Sequence, residues 1–334
     1  MSKILGGCAG QCNGNRRGRP MVPKFSEEGE ETLKYKIPAV LALVVLSVAI
    51  ALAQTPTSTT NTVPLVTGAS FTFTPINFPG ANRNRTLGLN DHGDIVGDYL
   101  DSAGVRHAYL LHQGNFTSFD APGSIDTRGL AINNRGVIGG RFLDSNNVSH
   151  SYLLDHGAFT IFDFPGATLT ALQGMNDLGQ VVGTYNDAAG NGHGFLMSAG
   201  NFTSIDFPGA ATGTIAGGIN DRGQIVGTYG DAAGNAHGFL LSAGSFTSID
   251  FPGALDTTQL FGITANGEIV GFYDDSNGTF HGFTLIAGNF NIVDFPGAFL
   301  TLTTRANEVG QIVGSYNLAG QHGFLATPNP IQKP

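Results

Sequence analysis

Short hydrophobic runs separated by small and polar turn residues recur along residues 71–326. In one unit the runs read TIAGGIN, QIVGTY, HGFLL and SFTSIDF, and they are followed by Asp, Gly, Ser and Pro. Runs with this composition and these boundaries are typical of β-strands, and the short links between them are typical of hairpins. Four strands in about 43 residues match the size of a β-propeller blade, so the pattern predicts an all-β repeat protein.

Three markers keep one period along the chain. Pro-Gly begins at Pro79, Pro122, Pro165, Pro208, Pro252 and Pro296. A histidine recurs at His107, His150, His193, His237, His281 and His322. The glycine of an Ile-Val-Gly-like triplet recurs at Gly97, Gly140, Gly183, Gly227, Gly271 and Gly314. Successive Pro-Gly pairs are 43 or 44 residues apart, which predicts six units.

Loop lengths predict the strand order within a unit. The link after each Pro-Gly is the longest and most variable, as a step from the outer edge of one blade to the inner edge of the next requires. The Gly-Ile-Asn-type strand is therefore predicted to be innermost, where crowding favours small residues. The small residues of this strand are Gly88, Ala131, Gly174, Gly218, Gly262 and Ala306.

The two ends of the repeat region complement each other. Residues 71–78 form an outer strand with no preceding unit, and the last unit lacks an outer strand after Leu325. Pairing of the two would leave no open edge. We therefore predict a six-bladed β-propeller of four-stranded blades, with the ring closed by the N-terminal strand that completes the last blade. An open β-solenoid and two smaller β domains are the alternatives.

The sequence pattern of the N-terminal region predicts that the protein is exported. Residues 37–53 form an uncharged apolar run that follows Lys34 and Lys36 and ends in Ala-Leu-Ala before Gln54. These features are typical of a signal peptide and its cleavage site, and an uncleaved membrane anchor is the alternative. The predicted divisions are an extension with signal peptide (1–53), a Thr/Pro-rich spacer (54–70), the propeller (71–326) and a tail (327–334).

The charge and the cysteine content of the chain exclude several classes of function. Outside residues 1–53 the chain has nine basic and 21 acidic residues, a net charge of −12. Because nucleic-acid binding needs clustered Lys and Arg, we predict none. Cys8 and Cys12 precede the cleavage site, so the exported part lacks a disulfide and a thiol nucleophile. The sequence contains no nucleotide-binding or zinc-protease motif, and we predict no cofactor.

A His-Gly-Phe motif accompanies the Asn-Asp-x-Gly-x-Ile-Val-Gly-like segments. It reads HGF at residues 193–195, 237–239, 281–283 and 322–324, with the related forms HAY at 107–109 and HSY at 150–152. In these motifs the sequence resembles the HAF-repeat family of extracellular repeat proteins, over about residues 71–326. The resemblance implies an exported repeat protein and no particular activity.

The recurring histidines and aspartates are predicted to be structural. The histidines lie on the third strand of each unit, far apart around a ring, whereas metal ligands must converge on one ion. We therefore predict no metal site and expect each histidine to bond a neighbouring turn or strand. An aspartate precedes most Pro-Gly turns, and we expect it to cap the turn's backbone N–H groups rather than act as an acid or base. These aspartates are Asp120, Asp163, Asp206, Asp250 and Asp294.

The segments after Pro-Gly differ between units and are the predicted ligand-binding surface, although loops also vary without a function. The charged residues predicted to bind ligand there are Arg83, Arg85, Asp126, Arg128, Asp256 and Arg305.

These features favour an exported, non-catalytic and monomeric binding module for an extracellular protein or glycan. It would contact a membrane only through residues 37–53, if they are uncleaved. The alternatives are a propeller hydrolase or lyase, with acid and base residues in the central depression, and a structural component of the cell surface or matrix. A unit-specific cluster of Asp, His and Arg at the axis would favour the enzyme.

Overall fold

The computed structural model of the protein describes residues 70–330. This part of the chain forms 24 β-strands and no helix. The predicted export segment, the spacer up to residue 69 and the last four residues lie outside the described residues, so the predictions about them stay predictions. Within residues 70–330 no helix has the length and hydrophobicity needed to cross a membrane.

Strand β1 (Phe71–Ile76) is followed by strands that fall into units, which we number in chain order. Unit 1 contains β2 (Arg83–Leu89), β3 (Ile95–Leu100), β4 (Arg106–His112) and β5 (Asn115–Phe119). Unit 2 contains β6 (Asp126–Ile132), β7 (Ile138–Leu143), β8 (Ser149–Asp155) and β9 (Ala158–Phe162). Unit 3 contains β10 (Leu169–Met175), β11 (Val181–Asn186), β12 (Gly192–Ser198) and β13 (Asn201–Ile205).

The remaining units follow the same order. Unit 4 contains β14 (Thr214–Ile219), β15 (Ile225–Gly230), β16 (Ala236–Ser242) and β17 (Ser245–Ile249). Unit 5 contains β18 (Thr258–Ile263), β19 (Ile269–Asp274), β20 (Phe280–Ile286) and β21 (Asn289–Ile292). Unit 6 contains β22 (Leu300–Ala306), β23 (Ile312–Asn317) and β24 (Gln321–Pro328).

Each unit is an antiparallel sheet whose strands pair in chain order, which confirms the all-β prediction. Units 1 and 2 are joined into one larger sheet by a single parallel bridge between Arg106 and Asp126. In unit 6 the fourth strand is β1, which pairs with β24 from Phe71 opposite Pro328 to Ile76 opposite Gly323. This pairing extends β24 beyond residue 326, where the repeat pattern ends.

The first strand of each unit has a β-bulge at the same place, and the register beyond it corrects one detail of the sequence prediction. In β18 the bulge places Gly262 opposite Val270, and in β22 it places Arg305 opposite Val313. Arg305, and not Ala306, therefore occupies the small-residue position in unit 6. The other members of this set are tightly packed, since a Cβ on Gly218 would lie 2.5 Å from the backbone oxygen of Phe261.

Stacked aromatic rings pack one unit against the next. Phe207, in the turn after unit 3, lies face to face with Tyr229 of unit 4 at a centroid distance of 3.6 Å. The same stack recurs as Phe78–Tyr99, Phe164–Tyr185, Phe251–Tyr273 and Phe295–Tyr316. At the exceptional turn before unit 2, Ala121 replaces the phenylalanine and packs with Phe142. These stacks explain why an aromatic residue precedes most Pro-Gly turns.

Candidate functional site

A cluster of arginine and aspartate side chains joins units 1 and 2 at what we call the loop face. This is the edge that carries the Pro-Gly links between units and the Asp-x-x-Gly turns between the second and third strands of units 1 to 5, such as the turn that begins at Asp101. Arg85 donates two hydrogen bonds to Asp98, one from Nε at 3.1 Å. Arg106 donates to Asp98 Oδ1 at 2.6 Å and to Asp126 Oδ2 at 3.2 Å. Arg128 donates to both carboxylate oxygens of Asp126, at 2.9 and 3.2 Å. We call these five residues the arginine cluster.

The arginine cluster is partly buried. The Asp98 side chain has no exposed surface, whereas those of Arg85 and Arg106 are 14% and 21% exposed. Burial of Asp98 opposes its ionisation, but the charges of Arg85 and Arg106 hold the pKa of this carboxyl below its ordinary value. Asp98 is therefore a charged anchor that fixes two guanidinium groups at neutral pH.

The backbone at this junction does not require charged residues. At the junction of units 4 and 5, Ala236 and Thr257 form the parallel bridge equivalent to that between Arg106 and Asp126. The positions equivalent to the five cluster residues hold Ile215, Thr228, Ala236, Thr257 and Gln259. The same junction therefore forms with neutral side chains, so its backbone pairing does not depend on the charges of the arginine cluster.

The structure brings together three of the six residues predicted to bind ligand: Arg85, Asp126 and Arg128. Arg83 is exposed at the loop-face end of β2, at the start of unit 1. Asp256 is exposed at the junction of units 4 and 5, and its backbone N–H donates to Asp274 Oδ1 at 3.1 Å.

Burial and the neighbouring Asp256 carboxyl together raise the pKa of Asp274. This acidic pair belongs to a different junction from the arginine cluster, so the six predicted residues do not form one site.

Arg305 lies among the inner strands of the units, which corrects its predicted place beside the loop-face residues. Its guanidinium donates to backbone oxygens of inner strands in units 3 to 6. These acceptors are Gln173, Gly217, Phe261 and Thr304. Desolvation lowers the pKa of Arg305 to about 10, so the side chain is still protonated at neutral pH. The reason is the strand register, because Arg305 lies opposite Val313 as Gly262 lies opposite Val270, at the position that faces the other inner strands.

The cavity beside Arg305 has a volume of about 80 Å³. The first strands of all six units contribute to its lining, whose accessible surface is mainly polar although most of the lining side chains are apolar. Small-molecule pockets usually measure about 300–1,000 Å³. Arg305 is the one titratable residue in the lining, so this cavity gives no support to acid–base catalysis in the central depression.

In units 1 to 5 each recurring histidine lies between two turns at the loop face, and its Nε2 is 3.4–3.8 Å from the first aspartate of the Asp-x-x-Gly turn in the same unit. In units 1 to 5, Nδ1 lies 2.7–3.0 Å from the carboxylate that precedes the next Pro-Gly turn. The pairs are His107–Asp120, His150–Asp163, His193–Asp206, His237–Asp250 and His281–Asp294. In unit 6, His322 Nδ1 bonds Asn77 Oδ1 at 2.9 Å. Residues 70–330 contain no group of three or more His, Cys, Asp or Glu side chains placed to hold a metal ion.

The predicted turn-capping role of the aspartates is wrong. The backbone N–H after Asp163, that of Phe164, donates to Thr170 Oγ1 at 3.0 Å. Equivalent bonds run to Thr127, Thr214, Thr258 and Thr301. A threonine hydroxyl from the next unit thus satisfies each turn, and the aspartate carboxylate accepts from the histidine instead.

The Asp-x-x-Gly turns are held by their first aspartate. Asp231 Oδ1 accepts from the N–H groups of Ala233 and Asn235, both at 2.8 Å. Asn235 also donates from Nδ2 to Asp231 Oδ2 at 2.9 Å. These bonds, led by that from the Asn235 backbone, lower the pKa of Asp231 to about 2. Asp101, Asp144, Asp187 and Asp275 have lowered pKa values for related reasons.

Acid is expected to weaken these turns within a defined pH range. The pKa of Asp231 is about 2 in the folded protein and 3.8 ordinarily, so the stabilisation by its ionised form is complete above about pH 4. It is lost as the pH falls from about 4 to 2. Urea unfolding at pH 5, 4, 3 and 2 should show a smaller loss of stability over this range for Asp231→Asn than for the parent. Equal losses would contradict the assignment.

Sequence reasoning missed two members of the arginine cluster, Asp98 and Arg106. Both lie outside the variable segments after Pro-Gly, in strands that the repeat pattern predicts to be scaffold. A position-by-position comparison of the units contains the signal, because Asp98 stands where Thr184, Thr228 and Ser315 occur in other units.

Comparison with known proteins identifies the fold. No family model and no curated protein matches the chain. Among solved structures it is similar to a mutant of AofleA from Arthrobotrys oligospora in which three arginines are replaced by alanine. The two chains are 12% identical, with a TM-score of 0.50 over 80% of this chain and 91% of that one. It is similar to TolB from Acinetobacter baumannii, with 15% identity and a TM-score of 0.51 over 75% and 65% of the two chains. It is also similar to the SapL1 lectin in complex with α-methyl fucoside, with 12% identity and a TM-score of 0.50 over 75% and 96%. These neighbours are β-propellers, and the chain shares that fold.

Proposed function

We propose that this protein is an exported six-bladed β-propeller, closed by β1, that binds an extracellular glycan at the loop face over the junction of units 1 and 2. The observation that carries the proposal is the arginine cluster, a charged and partly buried group at a junction that forms elsewhere in the chain without charge. Scaffold positions recur between units, so a constellation found once points to a ligand.

Contacts between unit 6 and unit 1 support a closed ring. Thr86 of β2 donates to the backbone oxygen of Gly314, and Asn307 Nδ2 donates to the Asn90 oxygen at 3.2 Å. The Asn307–Asn90 contact repeats one made between units 1 and 2, where Asn90 Nδ2 donates to the Asn133 oxygen at 3.2 Å. The first and last units therefore meet through the same bonds as sequential neighbours.

A glycan is favoured as the ligand class by the chemistry of the loop face. Arginines that can bond sugar oxygens lie beside exposed carboxylates such as Asp120, which can accept from sugar hydroxyls. The structural neighbour SapL1 is a lectin, which agrees with this choice. The apolar run at residues 37–53 supports export.

The proposal is tested by screening the purified protein against immobilised glycans and extracellular proteins. We expect saturable binding to a restricted set of glycans. The variant His237→Gln, which alters a recurring histidine, should retain that binding, because the histidine only links turns. Binding to proteins alone, or self-assembly without any ligand, would contradict the proposed function.

A further inference from the structure

The arginine cluster has the features of a site for one oxyanion. Resting on the proposed function above, we infer that it binds the carboxylate of an acidic sugar within the glycan. A guanidinium has five N–H donors and matches a carboxylate in a planar, two-bond geometry. Arg106 donates from Nε to Asp126 and from Nη1 to Asp98. Arg128 donates from Nε and Nη2 to Asp126, so both guanidinium groups have further N–H donors beyond these bonds. Both arginine side chains reach solvent, with 21% and 18% of their surface exposed.

The arginine cluster carries a net positive charge. Its three arginines and two aspartates give a net formal charge of +1. The chain outside residues 1–53 is acidic, so this local excess of positive charge is unusual. A carboxylate that enters here balances charge rather than adding repulsion.

The two aspartates position the donors before a ligand arrives. Asp98 is completely buried between Arg85 and Arg106, and Asp126 is shared by Arg106 and Arg128. Arginine side chains held in this way lose little conformational freedom on binding, which favours affinity. Asp98 and Asp126 thus hold the three guanidinium groups in place before a ligand arrives.

The surroundings favour a sparsely charged sugar over a polyanion. The carboxylates of Asp120 and Asp163 are 45% and 42% exposed on the same face, so a densely charged chain would be repelled. Hydroxyl groups on a sugar can instead donate to them. Val105 and Ile125, which directly precede the bridged pair Arg106 and Asp126, are 40% and 46% exposed and offer an apolar contact for a sugar ring.

The test measures binding of the purified protein by calorimetry to a panel of oligosaccharides that contain uronic or sialic acid. Each is compared with its own carboxyl-reduced form, in which the carboxylate is an alcohol. We expect at least one acidic member to bind at least about tenfold more tightly than its reduced form, as the loss of a charge-assisted bond implies. Arg128→Gln should abolish that preference. Gln occurs naturally at the equivalent position, Gln259, so the variant is compatible with the fold.

Arg222→Gln is the matched control, because it removes one exposed arginine from the opposite face. It should leave the preference for the acid unchanged. Equal binding of acidic and reduced forms across the panel would overturn the inference, and so would a preference that Arg128→Gln leaves intact. Binding of neutral glycans alone would overturn the inference but leave the proposed function standing, whereas an absence of glycan binding would overturn both.

Discussion

Deletion of residues 71–78 is expected to lower the midpoint of thermal unfolding by about 10–20 °C. The deletion removes β1, whose Phe73 ring packs 5.5 Å from those of Phe295 and Phe324. It also removes buried Ile76 and the stack of Phe78 on Tyr99 of unit 1. Burial of a large apolar side chain contributes about 1.5–3 kcal/mol, so the three together account for about 5 kcal/mol or more. In a domain of this size, 1 kcal/mol corresponds to about 2–4 °C.

Hydrogen exchange distinguishes opening of the ring from a general loss of stability, because it shows which strands lose protection first. Without β1, strand β24 becomes an edge, so its amides should lose protection from hydrogen exchange before those of units 2 to 4. Removal of residues 55–62, from the predicted spacer, is the matched control and should leave the midpoint within about 2 °C. A 71–78 deletion as stable as the parent would contradict closure by β1.

Gly227→Ala is expected to destabilise the protein by about 3–5 kcal/mol. A Cβ at this glycine would lie 2.0 Å from the backbone oxygen of Ile215 and 2.7 Å from the Phe239 ring. Neither neighbour can yield, because one is backbone of the adjacent strand and the other ring is fully buried. The measurement is urea unfolding followed by fluorescence or circular dichroism.

The control for this prediction is Gly223→Ala in an exposed turn. Gly223 has φ of +73° but open space around it, so the alanine incurs only the left-handed backbone cost of about 1–2 kcal/mol. A Gly227→Ala variant no less stable than Gly223→Ala would disprove the steric explanation. The same close contact at Gly97, Gly140, Gly183, Gly271 and Gly314 explains why the Ile-Val-Gly glycine recurs.

The strands could be predicted from the sequence because their boundaries depend on local turn chemistry. The Asn-Asp-x-Gly and Asp-x-x-Gly turns recur with one period, and each lies where the pattern places a link. The place of Arg305 was predicted wrongly although the sequence contains the signal. Arg305 precedes Asn307 by two residues, as Gly262 precedes Thr264, but residue size favoured Ala306 for the small-residue position.

The candidate site was only partly predictable for a related reason. Arg85 and Arg128 differ visibly from their counterparts in other units, but their partner Asp98 is a strand residue whose role depends on a buried cross-strand pair. Likewise, the aspartates before Pro-Gly could be recognised as structural, but not as partners of histidine. Such pairs are set by sheet register, which the spacing of residues along the chain does not specify.

The ligand is expected to be held by residues found once and not by residues that recur. The most direct test transplants the junction of units 4 and 5 onto that of units 1 and 2. The five substitutions are Arg85→Ile, Asp98→Thr, Arg106→Ala, Asp126→Thr and Arg128→Gln, all of which reproduce residues found at the equivalent positions. The variant should fold, and its affinity for the preferred glycan should fall about 100-fold or more, as the loss of two charge-assisted contacts implies. A folded variant that binds this glycan as tightly as the parent would contradict the account.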